Sequence, residues 1–342
     1  MCICRTYPYI LNYRNEKQTI QLDDAAIVAG SLHERGEKVC VTTTDKMVFV
    51  YDTKQSKMLV KAKLVKKVIS VTFAGDIVLL GDKYGNVYVL KGNGDLENVL
   101  GHTASSILCM LHDSVNGLLL TGDREEKIRV SRFPKVAIIE RFCFGHKSAI
   151  TAMCSISHNN MVSSSTDGSI IVWNHLQGRI VQRINLDKDT FASKLSYSGS
   201  LGVLAALTNV KTLQLYFRTK NGEFKLGHTV SLSVECLDIS FVSKTSSLLA
   251  VPISPECPRF FSVSVSPSQE SITATSDVSS TFSRKVLESW KKIDGSNAAK
   301  AVSASFVITK RNMIDKTFQQ VMRSNLERKT KRRKIDNNGD DK

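Results

Sequence analysis

A self-similarity of about forty residues constrains this chain more than any other feature. The segment SSSTDGSIIVWN, Ser163 to Asn174, reads as a strand, an Asp-Gly turn, a second strand and a Trp. Three other segments align on it: Asp45-Lys46-Met47-Val48-Phe49-Val50-Tyr51, Tyr84-Gly85-Asn86-Val87-Tyr88-Val89-Leu90 and Glu125-Glu126-Lys127-Ile128-Arg129-Val130-Ser131. Their turn positions, 45, 84, 125 and 167, lie 39, 41 and 42 residues apart. A second landmark, Gly101-His102, returns 44 residues on as Gly145-His146, and Gly227-His228 follows 82 residues later. Units of this size cannot bury their apolar faces alone and must stack on one another.

Between the landmarks fall short β-branched runs at Val68–Phe73, Val78–Leu80, Leu118–Thr121, Ala137–Phe142, Ile150–Ile156 and Ile180–Ile184. Four strands per forty residues is the blade of a β-propeller, and the pattern resembles the WD-repeat family. The expected fold is therefore all-β, a seven-bladed propeller over residues 1–310 with several degenerate repeats. Blade five is expected over Phe191–Leu226, its turn and third strand in Thr208–Tyr216, and blade six over Val234–Ala274. A C-terminal segment around Ser303–Ile308 is expected to join one around Tyr9–Tyr13, because closing the ring removes exposed strand edges. Ser266–Ser283 is Ser/Thr-rich and reads as a loop. Val286, Leu287, Trp290 and Ile293 fall on one side of a helix, and so do Ile314, Phe318, Val321 and Met322, the latter in a 311–342 extension.

His146, Asp167, Trp173 and a strand serine, Ser163 or Ser165, match the buried hydrogen-bond set of the WD-repeat family. Such a chain is favourable only when each member is satisfied, so the Gly-His histidines read as structural rather than catalytic. The sequence has no G-x-G-x-x-G opening a helix, no P-loop, no H-E-x-x-H and no G-x-S-x-G, and Gly92-Asn93-Gly94 lacks the third glycine. No active site and no cofactor of its own are expected. The eight cysteines form no C-x-x-C pair and bring no histidine into zinc register, so no metal site is expected and the thiols read as reduced. With neither a signal-type apolar core nor eighteen uninterrupted apolar residues, an intracellular protein that does not cross a membrane is expected.

The string GDREEKIRVS, Gly122 to Ser131, carries six charges in ten residues. Strand alternation directs Ile128 and Val130 to one face and Lys127, Arg129 and Ser131 to the other. One reading is a solvated turn whose opposite charges partly neutralise each other. The other is a docking surface: Ser131 stands where the next repeat has Trp173, thinning the outer face, and Arg132 through Lys147 mixes aromatics with arginine as interface centres do.

The run LLTGDREEKIRVSRFPKVAIIERFCFGHK, Leu119 to Lys147, strongly resembles the WD-repeat non-catalytic subunit of the eukaryotic tRNA guanine-N7 methyltransferase. That resemblance implies a propeller that binds and stabilises a catalytic subunit carrying S-adenosylmethionine and helps position tRNA for methylation in the variable loop. It implies that Arg129 pairs with an acidic residue of the catalytic subunit, with Lys127 and Arg124 as neighbours in the contact. Asp123, Glu125 and Glu126 are then expected to hold Arg124 and Lys127 in place.

Charge adds a second expectation, since residues 281–342 hold 16 Lys/Arg against 7 Asp/Glu, +9 of the chain's +15. Arg328, Lys329, Lys331, Arg332, Arg333 and Lys334 suit phosphate contacts with tRNA and equally a nuclear import signal, with Lys147 a further candidate for RNA. Composition leaves a competing reading open: a nuclear WD-repeat scaffold in ribosome assembly or chromatin, without a methyltransferase partner.

Overall fold

Runs of Val, Ile, Leu and Thr interrupted by Gly, Asp and Asn favour short strands joined by tight turns, and the chain folds almost wholly into antiparallel sheets. The computed structural model describes residues 27–241 apart from 56, 103, 104 and 234, and the backbone of strands at 2–3, 9–12, 18–21, 247–252, 259–265 and 272–276. A three-stranded sheet over Cys2–Gln21 precedes six four-stranded sheets, and in each of the seven the strands pair in chain order.

The six four-stranded blades are 27–63, 68–101, 107–143, 150–185, 192–231 and 236–276. The first strand of each adjoins the first strand of the next, which places these strands innermost and the fourth strands at the rim. This is the WD-repeat propeller architecture. The aligned turn positions 45, 84, 125 and 167 all fall between second and third strands. No helix occurs among the described residues.

The core lies between blades. Leu120, Ile128, Val130, Ile150, Met161, Ile171 and Trp173 form one buried cluster joining the third and fourth blades. Full burial of a side chain of this size contributes roughly 1.5–3 kcal/mol, so the blade contacts dominate stability.

Three expectations change. Blade five extends to Ser231, so Gly227-His228 lies inside its rim strand rather than in the link to the next blade. Leu232 takes the place of a histidine there: its amide bonds the Lys211 carbonyl as that of His102 bonds Gly85. The Gly-His spacing was coincidental at that point. The expected loop Ser266–Ser283 is corrected in its middle, where the alternating run Ile272–Ser276 pairs as the fourth strand of blade six. Its 266–271 and 277–283 parts, the expected closing strand at 303–308, both helices and the basic tail lie outside the described residues.

Candidate partner interface on the third blade

The third blade consists of strands Ile107–Asp113, Leu118–Asp123, Ile128–Arg132 and Ile139–Cys143. Its charged turn, Arg124–Lys127, is closed from within. Asp123 Oδ1 accepts the amides of Glu125 and Lys127 at 2.8 and 3.0 Å. Asp123 Oδ2 lies 3.2 Å from His102 Nδ1, and His102 Nε2 lies 2.7 Å from the Thr121 hydroxyl. One assignment satisfies all three: Nδ1–H donates to the carboxylate and the threonine hydroxyl donates to Nε2. Burial raises the Asp123 carboxyl, yet the hydrogen bonds from His102 and the two amides outweigh it and hold the group below the ordinary carboxylate range.

In the fourth blade the corresponding chain has two more members. Trp173 Nε1–H donates to Ser163 Oγ at 2.7 Å, and Ser163 Oγ is 2.7 Å from His146 Nε2. His146 Nδ1 is 2.9 Å from Ser169 Oγ, whose hydroxyl donates to Asp167 Oδ1 at 2.6 Å. Ser163 is thus the strand serine of the set, while Ser165 Oγ accepts the amide of Asp167. Trp173 also explains Gly145: a Cβ there would stand 2.9 Å from the indole and 2.8 Å from Ile180. The sequence reading missed both Ser169, the relay between His146 and Asp167, and the His102–Asp123–Thr121 set. The 44-residue repeat of Gly-His was the available signal for the second.

Asp123 is nearly inaccessible, at 1% exposure, and faces His102, so it holds the backbone of the turn and not the side chains of Arg124 and Lys127. Among the described residues, Arg124, Glu125, Glu126 and Lys127 form no ion pair with one another, and all four are partly exposed. The expected bracing of Arg124 and Lys127 by acidic neighbours is therefore corrected. Geometry forbids it for Asp123, which is directed inward.

Arg129 lies on the third strand, between Thr121 and Phe142 in the neighbouring strands. Its Nε–H donates to Ser131 Oγ at 2.9 Å, Nη1 to the Gly101 carbonyl at 3.2 Å and Nη2 to the Val136 carbonyl at 3.0 Å. The guanidinium therefore latches the rim strand of the second blade and the Phe133–Ile138 loop onto the third. Ser131 is fully buried rather than opening a thin face, because the arginine folds back over the small residue. That corrects the second expectation about this surface.

The latch leaves one N–H on each terminal nitrogen without a described bond. No carboxylate pairs with Arg129 among the described residues, and burial alone draws its pKa below the ordinary value. A partly desolvated cation held by neutral acceptors is stabilised strongly by an incoming carboxylate.

Around it the rim is apolar and aromatic. Phe142 and Phe144 stack with centroids 5.4 Å apart, and Phe144 is 63% exposed. Ile138 and Ile139 are exposed beside the Arg132–Glu140 ion pair. Lys147 is also exposed, and its amide donates to Asp167 Oδ2 at 2.7 Å. Thus Arg124, Lys127 and Arg129 belong to one blade, while Arg328, Lys329, Lys331, Arg332, Arg333 and Lys334 lie outside the described residues. No group of side chains able to hold a metal ion occurs among the described residues.

The family model described as the tRNA methyltransferase TRM82 WD40 domain matches residues 95–259, which include the whole of this blade. The tRNA (guanine-N(7)-)-methyltransferase non-catalytic subunit trm82 of Aspergillus oryzae is 32% identical over 152 residues, covering 41% of this chain and 30% of its own. The corresponding Aspergillus clavatus protein is 26% identical over 289 residues, 62% of this chain and 58% of its own. The non-catalytic subunit WDR4 of Mus musculus is 33% identical over 168 residues, 47% of this chain and 40% of its own. The chain therefore spans between 30% and 58% of the length of these relatives. Among solved structures, U3-55K superposes with a TM-score of 0.60 at 15% identity, covering 70% of this chain and 79% of that one, a likeness of fold alone. The resemblance read from Leu119–Lys147 is thus shown, and these relatives are named as non-catalytic subunits.

Proposed function

We propose that this chain is the non-catalytic WD-repeat subunit of a tRNA guanine-N7 methyltransferase. Its propeller binds and stabilises the catalytic subunit, which alone carries S-adenosylmethionine, and helps position tRNA for methylation in the variable loop. The observation that carries the reading is Arg129, a cation fixed by Ser131, Gly101 and Val136 and lacking a carboxylate among the described residues. An acidic residue of the catalytic subunit supplies that carboxylate, and Arg124 and Lys127 surround it. Exposed Phe144, Ile138 and Ile139 supply the apolar margin that excludes water from such a pair.

In this reading the ring has seven blades, and the three-stranded sheet at Cys2–Gln21 belongs to the seventh. The extension at 311–342 carries Arg328, Lys329, Lys331, Arg332, Arg333 and Lys334 to tRNA phosphates or into nuclear import, which places the complex in the nucleus.

Co-expression with the host's tRNA guanine-N7 methyltransferase, size-exclusion chromatography and a methyl-transfer assay on unmodified tRNA test the proposal. A stable complex whose activity needs both chains is expected. Arg129→Glu should weaken assembly by roughly 2–5 kcal/mol, and reversing the acidic residue of the catalytic subunit should restore it. The rescue separates a lost contact from a lost latch, since a propeller damaged at Gly101 and Val136 would not recover. Unchanged assembly of a folded Arg129→Glu chain would remove Arg129 from the interface. Absence of any complex would leave the chain a WD-repeat scaffold with another partner.

A further inference from the structure

A second group of cations, distinct from Arg129, stands on the face where the turns between second and third strands meet the links between blades. The backbone defines that face: the amide of Leu64 bonds the Lys46 carbonyl, Lys83 bonds Lys67, Arg124 bonds Ser106 and Thr166 bonds Ala149. At the junction of the first two blades this arrangement gathers Lys46, Val65, Lys66, Lys83 and Tyr84, all exposed. Lys46 Nζ donates to the Val65 carbonyl at 3.3 Å. The ammonium groups of Lys66 and Lys83 stand 5.0 and 4.9 Å from the centre of the same tyrosine ring, itself 53% exposed.

The support is rigid. Asp82 Oδ1 accepts the Tyr84 amide at 2.8 Å, and Gly85 allows a backbone approach that a Cβ would obstruct at 2.5 Å from the His102 carbonyl. Lys46, Lys66 and Lys83 pair with no carboxylate among the described residues, and the acidic residues adjacent in sequence are engaged elsewhere, Asp45 by the Thr43 hydroxyl and Asp82 by the Tyr84 and Asn86 amides. Two like charges on one ring lie within about a Debye length of each other, ~10 Å at 0.1 M salt, and repel unless an anion joins them. Protein interface centres are depleted in lysine, whereas phosphate backbones are held by lysine and bases stack on tyrosine.

We infer that Lys46, Lys66, Lys83 and Tyr84 form an RNA-contacting platform, the lysines neutralising phosphates and the tyrosine stacking on a base or ribose. The assignment of that RNA as tRNA rests on the function proposed above. An acidic protein segment would be drawn to the same charges without using the ring.

The test is a fluorescence anisotropy titration of an unmodified tRNA transcript with the full chain over a range of salt. Assembly with the catalytic subunit is measured in parallel by size-exclusion chromatography. Replacing Lys46, Lys66 and Lys83 together by alanine should lower the slope of log affinity against log salt by about 3, one for each phosphate contact, and weaken binding about tenfold or more. Tyr84→Ala should weaken binding about fivefold or more with the slope unchanged. Lys220→Ala, in the hairpin at the opposite ends of the blade-five strands, should change neither. Assembly should be retained in all variants. An unaltered slope in the triple variant, or a parent chain that does not bind tRNA, would overturn the inference and leave the methyltransferase complex untouched. Loss of assembly with tRNA affinity unchanged would overturn it in favour of a protein-binding surface. Failure of the parent chain to assemble would count against the proposed complex alone, because the platform is read from the titration of the single chain.

Discussion

Glu126 has a backbone φ of 74°, in the left-handed region that side chains disfavour. The same turn position is Gly85 in the second blade and Gly168 in the fourth, at 101° and 82°, but Lys46 and Lys211 in the first and fifth, at 67° and 59°. A left-handed non-glycine residue costs roughly 1–2 kcal/mol, from which about 0.5–1 kcal/mol of unfolded-chain entropy must be subtracted when glycine replaces it. Glu126→Gly should therefore stabilise the chain by up to about 1 kcal/mol, seen as a rise of a few degrees in the thermal midpoint. Gly168→Ala should act in the opposite direction. A lower midpoint for Glu126→Gly would show that the glutamate side chain returns more than its backbone loses.

Within a blade, hydrogen bonding to a buried histidine sets the cost of change. Ser163 serves two groups, Trp173 Nε1–H and His146 Nε2, whereas Thr121 serves only His102 Nε2. An unsatisfied buried polar group costs about 1–3 kcal/mol, so Ser163→Ala should destabilise about twice as much as Thr121→Val, compared by denaturant midpoint. Equal effects would mean that one of the two groups finds another partner.

These sets also mark how far the sequence could be read. The turn spacing located the strands of blades one to four, and Asp167, His146 and Trp173 were legible because their residue types and positions recur together. Asp123 was not recognised as the counterpart of Ser165, because Glu125 occupies the aligned acidic position and drew attention away from it. The Arg129 latch had no signature at all, since two of its three acceptors are backbone carbonyls, one of them in a neighbouring blade. Asp113 and His175, 62 residues apart and 2.8 Å from contact to contact, were equally invisible.

Across the whole molecule, three carboxylates support the third and fourth blades while being held below the ordinary carboxylate range. Burial raises each, but hydrogen bonds prevail: from Asn116 and His175 at Asp113, from His102 and turn amides at Asp123, and from Ser169 and the Lys147 amide at Asp167, with His146 behind Ser169. A folded-state pKa below the unfolded value, near 3.9, contributes stability that is complete above that value. As pH falls through it, the unfolded chain takes up protons that the folded chain refuses, and the contribution is lost. The Asp113–His175 pair joins the third blade to the fourth, so its loss weakens a contact between blades rather than a single turn. Thermal midpoints measured from pH 6 to pH 3 should accordingly decline most steeply below about pH 5. Asp113→Asn, Asp123→Asn and Asp167→Asn should each lower the midpoint at neutral pH and each flatten the decline, because the substituted residue no longer titrates. If all three variants kept the full slope, acid sensitivity would have to reside in other groups, and the histidine-linked carboxylates would contribute nothing to the coupling between these blades.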